Sequence, residues 1–267
     1  MKEPVLILSD LHLGHAGSVI RDVAELVPLL QDARTLILNG DTWQELALDF
    51  QAEGRVMWQE WQNICRDRGI ELVVLPGNHD PGQGSQDYAE LADGRILVMH
   101  GDAVFPEVAP WSRTAMRKEA ELREVIQAHP QETVRDRFAM AKKISRILIP
   151  RYHPRSKNIF ARIWDAIHPP GRAWRMLISW ATMVEETRKF SLRYFPQAEV
   201  VICGHFHRCG IWEEKTPLVI NSGSFMPPGA AYWCEYQNGM LRVGTMKLSP
   251  QGWQRDEVLG VWKNFEC

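Results

Sequence analysis

Five short runs of unbroken apolar residues punctuate the chain, and each stops abruptly at polar residues. They are "VLIL" before Ser9 and Asp10, "TLIL" before Asn39 to Asp41, "ELVVL" before Pro76 to Asp80, "RILVM" before His100 to Asp102, and "VVIC" before Gly204 to His207. Runs this short, rich in Val, Ile and Leu and without polar alternation, predict strands buried on both faces. Between them the period lengthens to that of helices. Val23, Leu26, Val27 and Leu30 share one face of a helix predicted over 19 to 32, with Ser18 as its cap and Pro28 as an interruption. A second helix is predicted from Val56 to Asp67, carrying Trp58, Trp61, Ile64 and Cys65 and closed by Gly69. Residues 1 to 103 thus read strand, helix, strand, helix, strand, short connector, strand, the order of an α/β layer fold.

The pattern then changes. Residues 111 to 195 read as helices alone, and strands resume at 199 to 203, 217 to 220, 231 to 236 and 241 to 246. The expected organisation is one sheet-based domain, 1 to 110 and 196 to 267, interrupted by a helical insertion at 111 to 195. On a helix at 134 to 148, Phe138, Ala141, Ile144 and Leu148 share a face, while Lys142, Lys143 and Arg146 lie away from it. From 158 to 168, Ile159, Phe160, Ile163, Trp164 and Ile167 do likewise, and "HPPG", His168 to Gly171, reads as a rigid turn. Such helices serve either as a subdomain packed on the sheets or as a lid whose apolar interior takes a greasy group and whose arginines meet phosphate.

Composition sharpens this in one respect. The 267 residues are 45% apolar and 24% charged, with a formal net charge of -2, as in an ordinary globular protein. Residues 111 to 195, however, hold 18 Lys and Arg against 8 Asp and Glu, leaving 13 against 25 elsewhere, so a basic segment is mounted on an acidic body. The five cysteines, at 65, 203, 209, 234 and 267, show no CxxC spacing and indicate neither a zinc ribbon nor a disulfide framework. The apolar run Val5 to Leu8 is too short for a signal-peptide core, and no stretch approaches the roughly 20 apolar residues that span a bilayer. The expected location is cytoplasmic, with peripheral contact to an inner membrane surface through 111 to 195.

The polar strand ends carry the chemistry. Taken alone, "LPGNHDPG" is a turn, since Pro, Gly, Asn and Asp all suit one. Repeated at five strand ends, the pattern changes meaning, because ligands of α/β sheets sit outside the carboxyl ends of strands. Asp10, His12, Asp41, Asn78, His100, His205 and His207 offer three oxygen donors and four imidazoles. That mixture suits Mn, Fe, Zn or Co better than the all-oxygen shells of Ca or Mg. Seven donors exceed what one ion with an open position takes. Two divalent transition-metal ions about 3.5 to 4 Å apart, bridged by a carboxylate, fit the set, and such pairs serve phosphoryl-ester hydrolysis. Manganese is the first expectation, with iron or zinc as alternatives.

The series "DLH", "NGD", "GNHD", "MHGD" and "GHFH" resembles the calcineurin-like metallophosphoesterases, over residues 5 to 103 and about 198 to 246. The resemblance implies a four-layer αββα sandwich with a helical insertion. It further implies one metal on Asp10, His12 and His207, another on Asn78, His100 and His205, and Asp41 as the bridge. His79 would be the general acid or a phosphate contact, oriented by Asp80. Gln44, with Glu45 beside it, stands where the family often has an acidic residue, and His15 follows the first motif closely enough to approach the site. Within the family, "SDLHLG", "HGD", the helical insertion, "GHFHR" and "INSGSF" look most like the UDP-2,3-diacylglucosamine pyrophosphatase branch, which typically has Arg at the position of His79. The implied function is hydrolysis of a phosphodiester or diphosphate bond, in a substrate of nucleotide-lipid character. A nuclease following a DNA backbone with its basic insertion, and a non-catalytic scaffold on the same fold, are the alternatives.

Overall fold

The computed structural model describes residues 1–149 and 170–265. Four of the five predicted apolar runs form the centres of two sheets, and the fifth, at 71 to 75, forms an edge. One has six strands, in the order β11 (Gly252–Trp262), β10 (Met240–Ser249), β9 (Tyr232–Gln237), β1 (Val5–Leu8), β2 (Thr35–Asn39) and β3 (Glu71–Leu75), and the other has five, in the order β4 (Tyr88–Leu91), β5 (Ile96–Met99), β6 (Val200–Cys203), β8 (Leu218–Asn221) and β7 (Gly210–Trp212). In the first, β1 (Val5–Leu8), β2 (Thr35–Asn39) and β3 (Glu71–Leu75) are parallel neighbours. In the second, β5 (Ile96–Met99), β6 (Val200–Cys203) and β8 (Leu218–Asn221) are likewise parallel. Each parallel set therefore delivers its carboxyl ends, and the polar residues that follow, along a single edge.

The runs are unbroken because both faces of these strands are buried in different company. Val5 and Ile7 of β1 pack with Ile96, Val98, Val200 and Ile202 between the sheets. Leu6 and Leu8 point the other way, against Leu26, Leu30, Trp58 and Trp61 of the outer helices. On the second sheet, Leu97, Met99 and Val201 pack outward against Leu122, Phe138, Ile144 and Phe190. These last belong to α3 (Glu119–Ala128), α4 (Val134–Ile147) and α5 (Pro170–Tyr194), which follow α1 (Leu48–Asp67) and the short α2 (Arg113–Arg117), so helices of the basic segment form the fourth layer of an αββα sandwich. Their apolar faces share a core with the sheet.

Several local expectations are corrected. The helix expected at 19 to 32 is a 3₁₀ helix at Val23–Leu30, capped by Asp22, whose side chain accepts from the Ala24 N–H. Pro28 lacks the N–H that an α-helical ladder requires there, and Ser18 instead donates to the Leu11 carbonyl. α1 starts early and spans Leu48–Asp67, because its first turns carry little apolar periodicity to reveal them. β4 (Tyr88–Leu91) occupies the segment read as a connector, and β7 (Gly210–Trp212) and β11 (Gly252–Trp262) are also additions. All three are edge strands, which lack the two-sided burial that makes an apolar run. β9 (Tyr232–Gln237) and β10 (Met240–Ser249) extend the six-stranded sheet. The segment 158 to 168 lies outside the described residues. Pro170 and Gly171, expected in a turn, open α5 instead, where a proline in the first turn loses no intrahelical bond.

Ile144, fully buried on α4 against the second sheet, tests the shared core. Ile144→Ala is expected to lower the unfolding free energy by about 2–5 kcal/mol, read from urea denaturation, and to shift the whole transition. A separate early transition, with the remainder unmoved, would instead mark the helices as an independent unit.

Candidate metal centre

Asp10, His12, Asp41, His205 and His207 all adopt left-handed backbone angles, with φ of 53°, 48°, 49°, 65° and 51°. Side chains other than glycine pay for that conformation, and it persists only where surrounding structure enforces it. Here strand ends enforce it. The Asp10 N–H donates to the Gly40 carbonyl at 3.1 Å and the His12 N–H to the Asp41 carbonyl at 2.9 Å, locking the loops after β1 and β2 together. The loop after β8, "NSGSF", braces the opposite side. Asn221 donates to the Gly204 carbonyl at 2.7 Å, and the Phe225 N–H donates to the Asp10 carbonyl at 3.2 Å.

Two glycines permit the close approach. A Cβ on Gly77 would lie 2.3 Å from Asp41 Oδ1, and one on Gly204 would lie 2.1 Å from Asp10 Oδ2. Both glycines precede site residues in "PGN" and "CGH".

The side chains converge as two donor groups, Asp10, His12, Asp41 and His207 in one, and Asp41, His100 and His205 in the other, with all donor atoms of a group within 4.8 Å of one another. Asp41 belongs to both. Its Oδ1 is 3.4 Å from His100 Nε2, and its Oδ2 is 3.8 Å from His12 Nε2. His207 Nε2 is 3.2 Å from Asp10 Oδ1, and Asn78 Oδ1 is 3.4 Å from His100 Nε2, which brings Asn78 to the second group. All seven expected donors are thus assembled in one place.

A match to the family model for calcineurin-like phosphoesterases extends over residues 3–209. The chain belongs to the calcineurin-like phosphoesterase family. No curated protein matches it. Among solved structures it is similar to Vacuolar Protein Sorting 29 from Cryptosporidium parvum, at 12% identity and a TM-score of 0.46, covering 98% of this chain and 99% of that one. It is also similar to a predicted phosphoesterase from Streptococcus pneumoniae TIGR4, at 15% identity and a TM-score of 0.37, covering 99% of each chain. A cold-active protein-tyrosine phosphatase of Shewanella sp. aligns at 14% identity and a TM-score of 0.40, over 90% of this chain and 77% of that one.

Membership of this phosphoesterase family implies divalent metal ions, and the donor chemistry fits them. His100 Nδ1 donates to the Asn39 carbonyl at 2.9 Å, so Nε2 is the nitrogen that would ligate. His205 is held the other way round. Its Nε2 donates to the Val108 carbonyl at 2.9 Å, leaving Nδ1 to ligate. Val108 itself sits at φ 65°, a strained angle for a β-branched residue. Burial pushes His205 down to about 3 and holds His12 well below the usual imidazole range, so both stay in the neutral form that binds metal. Burial is the largest single influence on Asp41 and on His100 and opposes charge on both, but the neighbouring groups together outweigh it, His100 first among them for Asp41 and Asp41 first for His100. Asp41 is held well below the usual carboxylate range and His100 well above the usual imidazole range. To hold a divalent cation, His100 would give up its Nε2 proton.

Asp80 is placed differently from its expected role beside His79. Its carboxylate accepts from the N–H groups of Asp41, Thr42 and Gly77 at 3.0, 2.7 and 2.8 Å, so it ties the "GNHD" turn to the Asp41 loop. Burial, then the Asp41 charge, push Asp80 up to about 7, while the Gly77 and Thr42 N–H donors pull it back. The residue that holds His79 Nδ1 is Gln44, at 2.9 Å. Its sequence signal was the departure from the family's acidic residue; the Val108 carbonyl, a backbone group, had none. His15 Nδ1 accepts from the Gly17 N–H at 2.9 Å, and the residue lines the cavity above the site.

Asp41→Asn removes the carboxylate common to both groups. The variant is expected to fold, by circular dichroism, yet to lose most of the metal that elemental analysis finds in the wild type. Full retention of metal would show that Asp41 is not a shared ligand.

Proposed function

We propose that this chain is a dinuclear metal-dependent hydrolase of phosphodiester or diphosphate bonds, acting on an amphiphilic anion. The observation that carries the reading is the position of Asp41, common to two donor groups, at the floor of a cavity of about 1470 Å³. Two divalent ions, manganese in the first instance, supply Lewis acidity toward phosphate oxygens and lower the pKa of a water. The chain's own residues supply position and charge. His79 faces the cavity with Nε2 3.9 Å from Asp41 Oδ2, and its backbone N–H donates to Asp41 Oδ1 at 2.8 Å, so it meets the reacting phosphate from a fixed direction.

The cavity walls support the substrate class. Arg117, Arg146 and Arg208 line it together with Leu148, Met176 and Trp180, so anionic and apolar parts of one molecule both find partners. On α5, Trp174, Leu177 and Ile178 are exposed at 65%, 55% and 45% on one face. This supports contact with a lipid surface from which such a substrate is drawn. No described helix is long and apolar enough to cross a membrane. The resemblance to UDP-2,3-diacylglucosamine pyrophosphatases names one substrate with this chemistry, although His79 stands where that branch has Arg.

The metal-loaded protein is therefore expected to hydrolyse UDP-diacylglucosamine far faster than single-stranded DNA, with bis-p-nitrophenyl phosphate as the reference ester. A preference for DNA, weakening steeply with salt, would favour the nuclease. Activity on none of the three would favour a scaffold. His79→Ala is expected to lower turnover by about 10²- to 10⁴-fold with metal content unchanged.

A further inference from the structure

Gln44 is fully buried, and its side-chain amide touches two histidines at once. One end lies 2.9 Å from His12 Nδ1 and the other 2.9 Å from His79 Nδ1. An amide has one donating end and one accepting end. Of the two ring nitrogens, one therefore carries a proton and the other presents a lone pair. A half-turn of the amide exchanges its oxygen and nitrogen at nearly the same positions, so these distances serve either arrangement.

His12 decides between them. Its Nε2 is the nitrogen grouped with the metal donors, 3.8 Å from both Asp10 and Asp41. Ligation through Nε2 leaves the ring proton on Nδ1, which donates to the amide oxygen. The amide NH₂ then faces His79 and donates to its Nδ1. The neutral His79 ring keeps its proton on Nε2, the nitrogen that faces Asp41 across 3.9 Å.

We infer that Gln44 is a positioning residue that couples cation binding at His12 to the tautomer of His79, holding His79 as an Nε2–H hydrogen-bond donor to a phosphate oxygen. The inference uses the phosphoesterase reading for its purpose, while the tautomer itself rests on the two contacts together with ligation of a cation through His12 Nε2. Its chemical consequence concerns the acid role. With Nδ1 occupied as an acceptor, His79 has no second ring proton to keep once it gives up the first, so it stabilises charge without transferring a proton. A diphosphate bond suits such a group, because a phosphate departs without needing protonation. A carboxylate at this position would instead accept from both Nδ1–H groups.

The test is the histidine tautomer in Zn²⁺-loaded, ¹⁵N-histidine-labelled protein, read from long-range ¹H–¹⁵N correlations and assigned with His79→Ala. The wild type is expected to show His79 protonated at Nε2 only, and Gln44→Glu to show it protonated at Nδ1 with zinc content unchanged. In activity, His79→Ala should cost p-nitrophenyl and alkyl phosphodiesters the same factor to within about three-fold, whereas a true general acid would cost the alkyl ester on the order of 10-fold more or greater. An Nδ1–H pattern in the wild type, or a pattern unmoved by Gln44→Glu, overturns the inference. The wild-type spectrum decides alone should the variant not fold. Inactivity on every ester with the Nε2–H pattern intact would reject the phosphoesterase reading and leave the tautomer assignment standing.

Discussion

A buried carboxylate is tolerated only when its charge is answered on every side, and Asp41 is the point in this molecule where that requirement concentrates. It is 1% exposed, sits at the end of β2 in a left-handed conformation, and serves both donor groups. Isolated, such a charge costs many kcal/mol of desolvation. His100 answers it electrostatically, and the His79 N–H answers it with a hydrogen bond. Asp80 holds the same loop from beneath by taking the Asp41 and Thr42 N–H groups, and Gly77 makes room for the turn. Much of what surrounds the site reads as the set of supports that one carboxylate demands.

Those supports are local strain held by global packing. Five of the donor residues and Val108 occupy angles that a free chain rarely visits. What keeps them there is the pair of parallel strand sets beneath, each clamped between an inter-sheet core and an outer helical layer. A core buried from both sides is stiff, because close packing leaves no room for strand ends to relax. Preorganisation of the donors and rigidity of the sandwich are therefore the same property seen at two scales.

The basic helices join these scales to the cavity. Their apolar faces complete the fourth layer, while residues at their ends, among them Arg117, Arg146 and Met176, line the space above Asp41. The segment thus packs on the sheet with one face and lines the cavity with residues near its helix ends. Trp180 shows the connection directly, since its indole donates to the Phe206 carbonyl within "GHFH" and its own carbonyl accepts from Arg208.

The amino-acid sequence by itself determined the central strands, because two-sided burial leaves an unmistakable apolar run. It also singled out the seven side chains that the fold brings together, because each stood directly after such a run. It did not reveal the edge strands β4, β7 and β11, whose one-sided burial leaves a mixed pattern, nor the 3₁₀ geometry at Val23–Leu30. Only the tertiary structure decided the supporting contacts. That Asp80 serves backbone N–H groups, that Gln44 spans His12 and His79, and that a strained Val108 turns its carbonyl to His205 depend on how separate loops meet in space. Hydrogen-bond partners of this kind are chosen by distance after folding, and an Asp, a Gln or a backbone carbonyl carries no mark in sequence of the group it will face.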